Sequence, residues 1–299
     1  MNAAKIKSIL AELGVQPSQR LGQNFLIDGN VLNKIVDAAE IKSGDLVLEI
    51  GPGLGVLTQA LLDRGAQVIA IEKDRRFAEY LETQFHNPSA PPLTLRGGEN
   101  NFPLRVRGKE GVTITQGDAV KMDWEKLVGG QTWKFISNLP YSITSLALRT
   151  ALYTTSPPSL MVVLVQREVA ERIVRPSKTS LLSLMVALSS KSAKILSRVS
   201  ANSFYPIPKV ESAILQIVPM TQEERIEKWG IEPEEIMKVA RLGFAHPRKL
   251  LRSNLGLGAE TTPLQDLGVN EKARAEDLSP DDWARLALRI HNPSSLPLP

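Results

Sequence analysis

Apolar positions along the first two thirds of the chain alternate between two rhythms. Residues 3–13 place Ile6, Ile9, Leu10 and Leu13 on one helical face, which predicts a short amphipathic helix. Asp28 stands as an N-cap before a second helix with Val31, Leu32, Ile35 and Val36 as its apolar face. Short apolar runs then follow at 45–50, 66–71, 112–116, 134–137 and 160–165, and each reads as a strand. Helical periodicity fills 56–64, 75–85 and 142–153 between them. Such alternation predicts an α/β fold with a parallel sheet covered by helices on both faces. A late strand is predicted at 210–218. Beyond Thr221 the pattern is helical, broken at Pro233, Gly243, Gly256, Gly258 and Gly268. The chain therefore divides into a domain at 1–219 and a small all-helical domain at 220–299.

One stretch breaks the rhythm. Residues 86–111 carry Pro88, Pro91, Pro92 and Pro103 with Gly97, Gly98, Gly108 and Gly111, where a short helix-to-strand loop would serve. Arg96, Arg105, Arg107 and Lys109 make this insertion mildly basic. It reads as a surface excursion with no assigned role.

Composition removes several chemistries. There is no cysteine, so disulfides, thiolate metal sites and a cysteine nucleophile are excluded. The histidines, His86, His246 and His291, lie far apart and make no local metal motif. No apolar run approaches a membrane span, and the polar N-terminus shows no export signal, so a cytoplasmic location is expected. The net charge of +4 is small, but its distribution is uneven. Residues 172–210 hold seven basic and no acidic side chains, and residues 236–259 hold five basic and none acidic. These stretches predict a surface for a polyanion such as nucleic acid.

Four loops carry candidate chemistry, each after a predicted strand. Gly51-Pro52-Gly53-Leu54-Gly55 follows Glu49 and opens a helix, as a backbone that approaches a ligand closely must. Glu72 comes 21 residues after Gly51, with Lys73 next to it, where a carboxylate accepts ribose hydroxyls in nucleotide-binding units. Gly117-Asp118-Ala119 follows the third strand and places Asp118 to accept an adenine amino group. The acid-x-G-x-G-x-G form resembles the cofactor loop of S-adenosylmethionine-dependent methyltransferases rather than a dinucleotide loop. The fourth strand ends in Asn138-Leu139-Pro140-Tyr141, which resembles the loop of methyltransferases that act on exocyclic amines. A nucleobase amine is a poor nucleophile, because its lone pair is delocalised into the ring. The Asn138 side-chain oxygen and the Leu139 carbonyl can each accept one N–H and so favour a pyramidal amine. Pro140 restrains the backbone, and Tyr141 can stack on the base. Alignment and electrostatics then suffice, without a strong general base.

Two flanking motifs extend the likeness. Leu21-Gly22-Gln23-Asn24-Phe25-Leu26 lies upstream, and Phe204-Tyr205-Pro206-Ile207-Pro208-Lys209-Val210-Glu211-Ser212 downstream. With Phe244-Ala245-His246-Pro247-Arg248-Lys249 and Ala275-Glu276-Asp277-Leu278, the chain from about residue 18 to 290 resembles the KsgA/Dim family of small-subunit rRNA adenine N6,N6-dimethyltransferases. The resemblance implies a Rossmann-like class I methyltransferase sheet and S-adenosylmethionine as cofactor. It implies a cofactor site of Gln23, Asn24, Leu26, Gly51, Gly53, Gly55, Glu72, Lys73, Asp118, Ala119 and Asn138. It implies a catalytic set of Asn138, Leu139, Pro140, Tyr141 and Phe204, with Phe204 as a second stacking surface opposite Tyr141. It implies rRNA contacts through Lys209, Arg241, Arg248, Lys249 and Arg252. The expected activity is dimethylation of two adjacent adenines of 16S rRNA within the small ribosomal subunit, by a monomer without metal. Alternatives are an Erm-type 23S rRNA methyltransferase, a catalytically silent RNA-binding assembly or transcription factor, and a nicotinamide-dependent dehydrogenase. Two departures stand out: the long insertion, and the absence of a Tyr-Gly pair in the stretch 176–181.

Overall fold

The computed structural model describes residues 1–18, 22–85, 105–107, 111–257 and 263–291. Most of the expected insertion lies outside these residues, as does Leu21. The strands are β1 (Phe25–Leu26), β2 (Leu46–Ile50), β3 (Gln67–Glu72), β4 (Arg105–Arg107), β5 (Val112–Gln116), β6 (Trp133–Asn138), β7 (Leu160–Gln166), β8 (Ser190–Val199), β9 (Phe204–Tyr205) and β10 (Ser212–Pro219). The helices are α1 (Ala3–Glu12), α2 (Gly29–Ala38), α3 (Val56–Asp63), α4 (Arg75–Gln84), α5 (Trp124–Val128), α6 (Thr144–Leu152), α7 (Arg167–Val174), α8 (Leu181–Ser189), α9 (Gln222–Trp229), α10 (Pro233–Gly243), α11 (Leu251–Asn254), α12 (Pro263–Asp266) and α13 (Pro280–His291).

Eight strands form one sheet in the order β4-β5-β3-β2-β6-β7-β10-β8. The central strands β5, β3, β2, β6 and β7 are parallel, with β2 and most of β7 buried on both faces. The expected parallel sheet carries antiparallel strands at both sides. β10 runs antiparallel to β7, because the chain enters it beside Gln166 at the carboxyl end of β7. β4 runs antiparallel to β5. A separate ribbon pairs β1 with β9, placing Phe25 opposite Tyr205 and Leu26 opposite Phe204. Neither the ribbon nor β8 follows from the sequence pattern: two-residue strands have no period, and β8 carries Lys191, Lys194 and Arg198 along a largely exposed edge.

The chain forms two compact units, residues 1–170 with 194–218 and residues 171–193 with 219–299. The division drawn at 219 leaves out the segment Glu171–Ala193, which belongs to the second unit. The reason is α8: its Leu184, Met185, Val186 and Leu188 are buried, and no polar face is left to solvate it alone. Within that unit Trp229 Nε1 donates to the Leu188 carbonyl at 2.8 Å. The stretch 176–181 is held there too, since Thr179 Oγ1 donates to the Leu278 carbonyl at 2.7 Å and Lys178 pairs with Glu276.

In the first unit, α2, α3 and α4 cover the sheet through Ile35, Val36, Leu61, Ala78 and Leu81. α1 packs Ile6, Ile9 and Leu10 onto Phe25, Leu54 and Phe77. In the second unit, α10 crosses the ring of Trp283 on α13 at Gly243. A Cβ there would lie 2.5 Å from Trp283 Cη2 and 2.8 Å from Leu251 Cδ1. Gly243→Ala is therefore predicted to destabilise the second unit by about 1–3 kcal/mol through overpacking. Urea denaturation followed by tryptophan fluorescence measures the loss.

Candidate active site

The parallel strands β2, β3, β5 and β6 end on one edge of the sheet, and a cleft opens there. The turn after β2 holds Gly51 at φ 67° and Gly53 at φ 57°, in the left-handed region where a side chain is strained. Space is equally short: a Cβ on Gly51 would meet Pro140 Cγ at 3.0 Å, and one on Gly53 would meet Phe25 Cε1 at 3.0 Å. The glycine loop is thus wedged between the β6 loop and the ribbon strand β1.

Glu72, at the end of β3, is 5% exposed. Its Oε2 accepts the Gly53 N–H at 3.1 Å and its Oε1 the Asp74 N–H at 2.9 Å. One carboxylate so fastens the glycine loop to the start of α4. Burial nevertheless raises its pKa, against those hydrogen bonds. Asp118 caps the turn at 119–121 through the Val120 N–H at 3.2 Å and pairs with Lys73 Nζ at 2.8 Å. The Lys73 contact lowers the Asp118 pKa, followed by opposing burial and the Val120 hydrogen bond.

The β6 loop is fixed from several sides. Ser137 Oγ donates to the Ile50 carbonyl at 2.7 Å. Asn138 Nδ2 donates to the Asn24 carbonyl at 3.1 Å, which leaves its Oδ1 as the acceptor. The Leu139 N–H continues the ladder to the Leu164 carbonyl at 3.1 Å, and its side chain is 1% exposed. Tyr141 OH lies 2.7 Å from Ser212 Oγ, and burial raises its pKa. Gln23 lines the cleft's other wall, its Oε1 accepting the Ser18 N–H at 2.8 Å; the nearby Asp74 has its pKa lowered chiefly by Arg76, with Gln23 a smaller contributor.

The cleft brings together Gln23, Asn24, Leu26, Gly51, Gly53, Glu72, Lys73, Asp118, Ala119, Asn138, Leu139, Pro140 and Tyr141. Two members of the expected set stand elsewhere. Gly55 is the N-cap of α3, pressed against Leu81 and Phe85. Phe204 is 1% exposed, lies in the core with Leu26, Val199 and Ile214, and is not among the residues lining the cleft. The cause is the ribbon: pairing β9 with β1 turns the Phe204 side chain into the packed interior.

A sequence profile of ribosomal RNA adenine dimethylases matches residues 15–292. The chain belongs to the ribosomal RNA adenine dimethylase family. It is 37% identical over 293 residues to ribosomal RNA small subunit methyltransferase A of Dehalococcoides mccartyi, covering 95% of this chain and 92% of the relative. It is 35% identical over 280 residues to the protein of the same name from Sphingopyxis alaskensis, covering 92% and 94%. Among solved structures, a dimethyladenosine transferase from Plasmodium falciparum matches with a TM-score of 0.69 at 24% identity, covering 90% of this chain and 98% of that one. The 23S rRNA methyltransferase ErmE matches with a TM-score of 0.64 at 24% identity, covering 90% and 100%. The family resemblance carried by the motifs is borne out, and the two structures share the α/β fold.

The family's expected basic residues fall in both units. Lys209 is exposed in the first. In the second, Arg241, Arg248 and Lys249 are exposed and Arg252 half-buried, and none of the four makes an ion pair among the described residues. Asn254 shapes the turn between them, its Nδ2 donating to the carbonyls of Gly243 at 2.6 Å and His246 at 3.0 Å. Other members of the acid-free stretches are neutralised by acids from elsewhere in the sequence. Lys191 pairs with Glu224, Lys238 with Glu235 and Lys178 with Glu276. Among the described residues no group of three or more His, Asp or Glu side chains could hold a metal, and no helix is long and apolar enough to cross a membrane.

Glu49 is a cleft residue to which the sequence assigned no role. It is 2% exposed, accepts Thr58 Oγ1 at 2.7 Å and is pushed up to about 8, first by burial and then by nearby Glu72. Its place as the acid before the glycines was visible, but its neutrality is a property of the packing. A carboxyl held above its unfolded value stabilises the fold at low pH and loses that contribution as the pH rises through the folded value. Glu49→Gln retains an acceptor for Thr58 and removes the titration. Its stability relative to the unsubstituted protein is predicted to rise from about pH 5 to about pH 8, by at most about 1.4 kcal/mol per pH unit, and then to level off. Thermal melting across that range measures the difference.

Proposed function

We propose that this protein uses S-adenosylmethionine to dimethylate the N6 amines of two adjacent adenines in 16S rRNA of the small ribosomal subunit. It acts as a monomer in the cytosol during ribosome biogenesis. The observation that supports this reading is the β6 loop, whose Asn138 and Leu139 line the same cleft as the glycine loop, Glu72 and Asp118, with the Asn138 nitrogen bonded to Asn24 and its oxygen left as an acceptor.

The cleft suits the cofactor. Glu72 has carboxylate lone pairs beyond those used by Gly53 and Asp74, and suits ribose hydroxyls. Asp118 suits an adenine amino group, with Lys73 as the partner it exchanges. The close glycine loop leaves backbone rather than side chains against a ligand. When bound, S-adenosylmethionine supplies an electrophilic methyl group and a neutral thioether leaving group.

The chain's own residues supply alignment. Asn138 is locked by its bond to Asn24, so its oxygen points one way and accepts one N–H of the target amine. The Leu139 carbonyl accepts the other, its position set by a buried side chain and a ladder bond. Two accepted N–H bonds hold the amine pyramidal and direct its lone pair along the transfer axis. Tyr141, steadied by Ser212, stacks on the base, which must leave its helix to enter. The amine becomes cationic on transfer and sheds its proton afterwards. The unpaired basic residues around Arg248 in the second unit grip the rRNA backbone.

The deciding experiment is methylation of undermethylated small subunits, with positions mapped by mass spectrometry. Two neighbouring dimethyladenosines in 16S rRNA are expected, and label confined to large subunits would overturn the substrate assignment. Asn138→Ala is predicted to lower kcat by at least about a hundredfold, since one of two aligned acceptors is lost. Arg248→Glu with Lys249→Glu is predicted to weaken subunit binding and to flatten its salt dependence by about one unit per contact, with S-adenosylmethionine affinity intact by calorimetry.

A further inference from the structure

The loop at residues 206–211 in the first unit plays no part in the chemistry derived above. Both its feet stand on the cleft wall. Tyr205, before it, is paired opposite the cleft residue Phe25, and Ser212, after it, bonds the cleft residue Tyr141 at 2.7 Å. The loop is pinned further at Glu211, whose carbonyl accepts the Arg167 N–H at 2.9 Å and whose carboxylate pairs with the Arg167 guanidinium. Pro206 and Pro208 fix two backbone angles in a span this short. Yet the side chains it raises are apolar and bare. Ile207 is 64% exposed, the most exposed large apolar residue among those described, and Val210 is 44% exposed. Lys209 stands exposed between them.

A stiff, apolar knuckle at the rim of a base-accepting cleft matches a nucleic-acid wedge in form and chemistry. Side chains of this kind enter a base step and hold it unstacked. A base that is methylated inside a pocket leaves a gap in its stack. We propose that the loop at 206–211 is that wedge: Ile207 fills the step vacated by the target adenine, and Lys209 pairs with the flanking phosphate. The inference rests on the proposed base-methylating function and names a residue outside its chemistry. The occupant is RNA rather than protein, because the knuckle's only acid, Glu211, is neutralised by Arg167 and its free charge is Lys209. The cleft rim must also face the RNA for an amine to reach Asn138.

The test compares full-length wild type, Ile207→Ala and Ile207→Met on undermethylated small subunits. The wedge requires kcat of Ile207→Ala to fall about tenfold, because flipping loses its support, while KM for the subunit and calorimetric affinity for S-adenosylmethionine change less than about twofold. Methionine, long enough to enter a step, restores kcat to within about threefold. An unchanged melting temperature excludes misfolding as the cause. Ile207→Ala with kcat within about twofold of wild type overturns the wedge, and so does a raised KM at unchanged kcat, which marks a plain affinity contact. Wild type inactive on both subunits overturns the proposed function and the wedge together. Active wild type with an unaffected Ile207→Ala overturns the wedge alone.

Discussion

The parallel pairing of β2, β3, β5 and β6 is the constraint on which the site depends. Parallel strands in register stop on one edge, and the last residues of each strand and those just after it line that edge. That is where Gly51, Glu72, Asp118 and Asn138 stand. Residues separated widely in sequence meet because the backbone hydrogen bonds of four strands run out together. The ladder also explains the rigidity of the reacting loop, since the Leu139 N–H still bonds β7 while Pro140 prevents the strand from continuing.

Around that edge the polar groups hold one another rather than solvent. Glu72 ties the glycine loop to α4, Ser137 ties β6 to β2, and Asn138 ties β6 to the segment before β1. A half-buried amide oriented through its nitrogen leaves its oxygen as the acceptor, which is what an amine must meet. Burial works against the two glutamates at the same time, holding Glu49 neutral over most of the ordinary pH range. The region is therefore organised by hydrogen bonds, and Lys73 with Asp118 forms an ion pair at its margin.

The motifs were legible because each is local. The Gly51-Pro52-Gly53 turn, the strand-end Glu72 and the Asn138-Leu139-Pro140-Tyr141 loop declare themselves by residue type and by their position after an apolar run. Three features were not legible. Phe204 carries no sign of its burial in the sequence, and a two-residue ribbon with β1 holds it in the core. The acid-free stretch at 172–210 looks like an unopposed basic face, yet Lys178 meets Glu276 and Lys191 meets Glu224, acids that stand well beyond the stretch in the sequence. α8 lies before the drawn boundary and packs beyond it.

By itself the sequence determined the alternation of strands and helices, the family, and the chemical type of each strand-end residue. These follow from side-chain periodicity and short-range backbone preferences, which neighbouring residues set among themselves. Only the tertiary structure decided the direction of β10, the burial of Phe204, the neutrality of Glu49, the partner of Tyr141 and the exposure of Ile207. Each of these depends on segments far apart in the chain meeting at a given distance. Burial, pairing and hydrogen-bond competition are properties of that meeting and of no single stretch of residues.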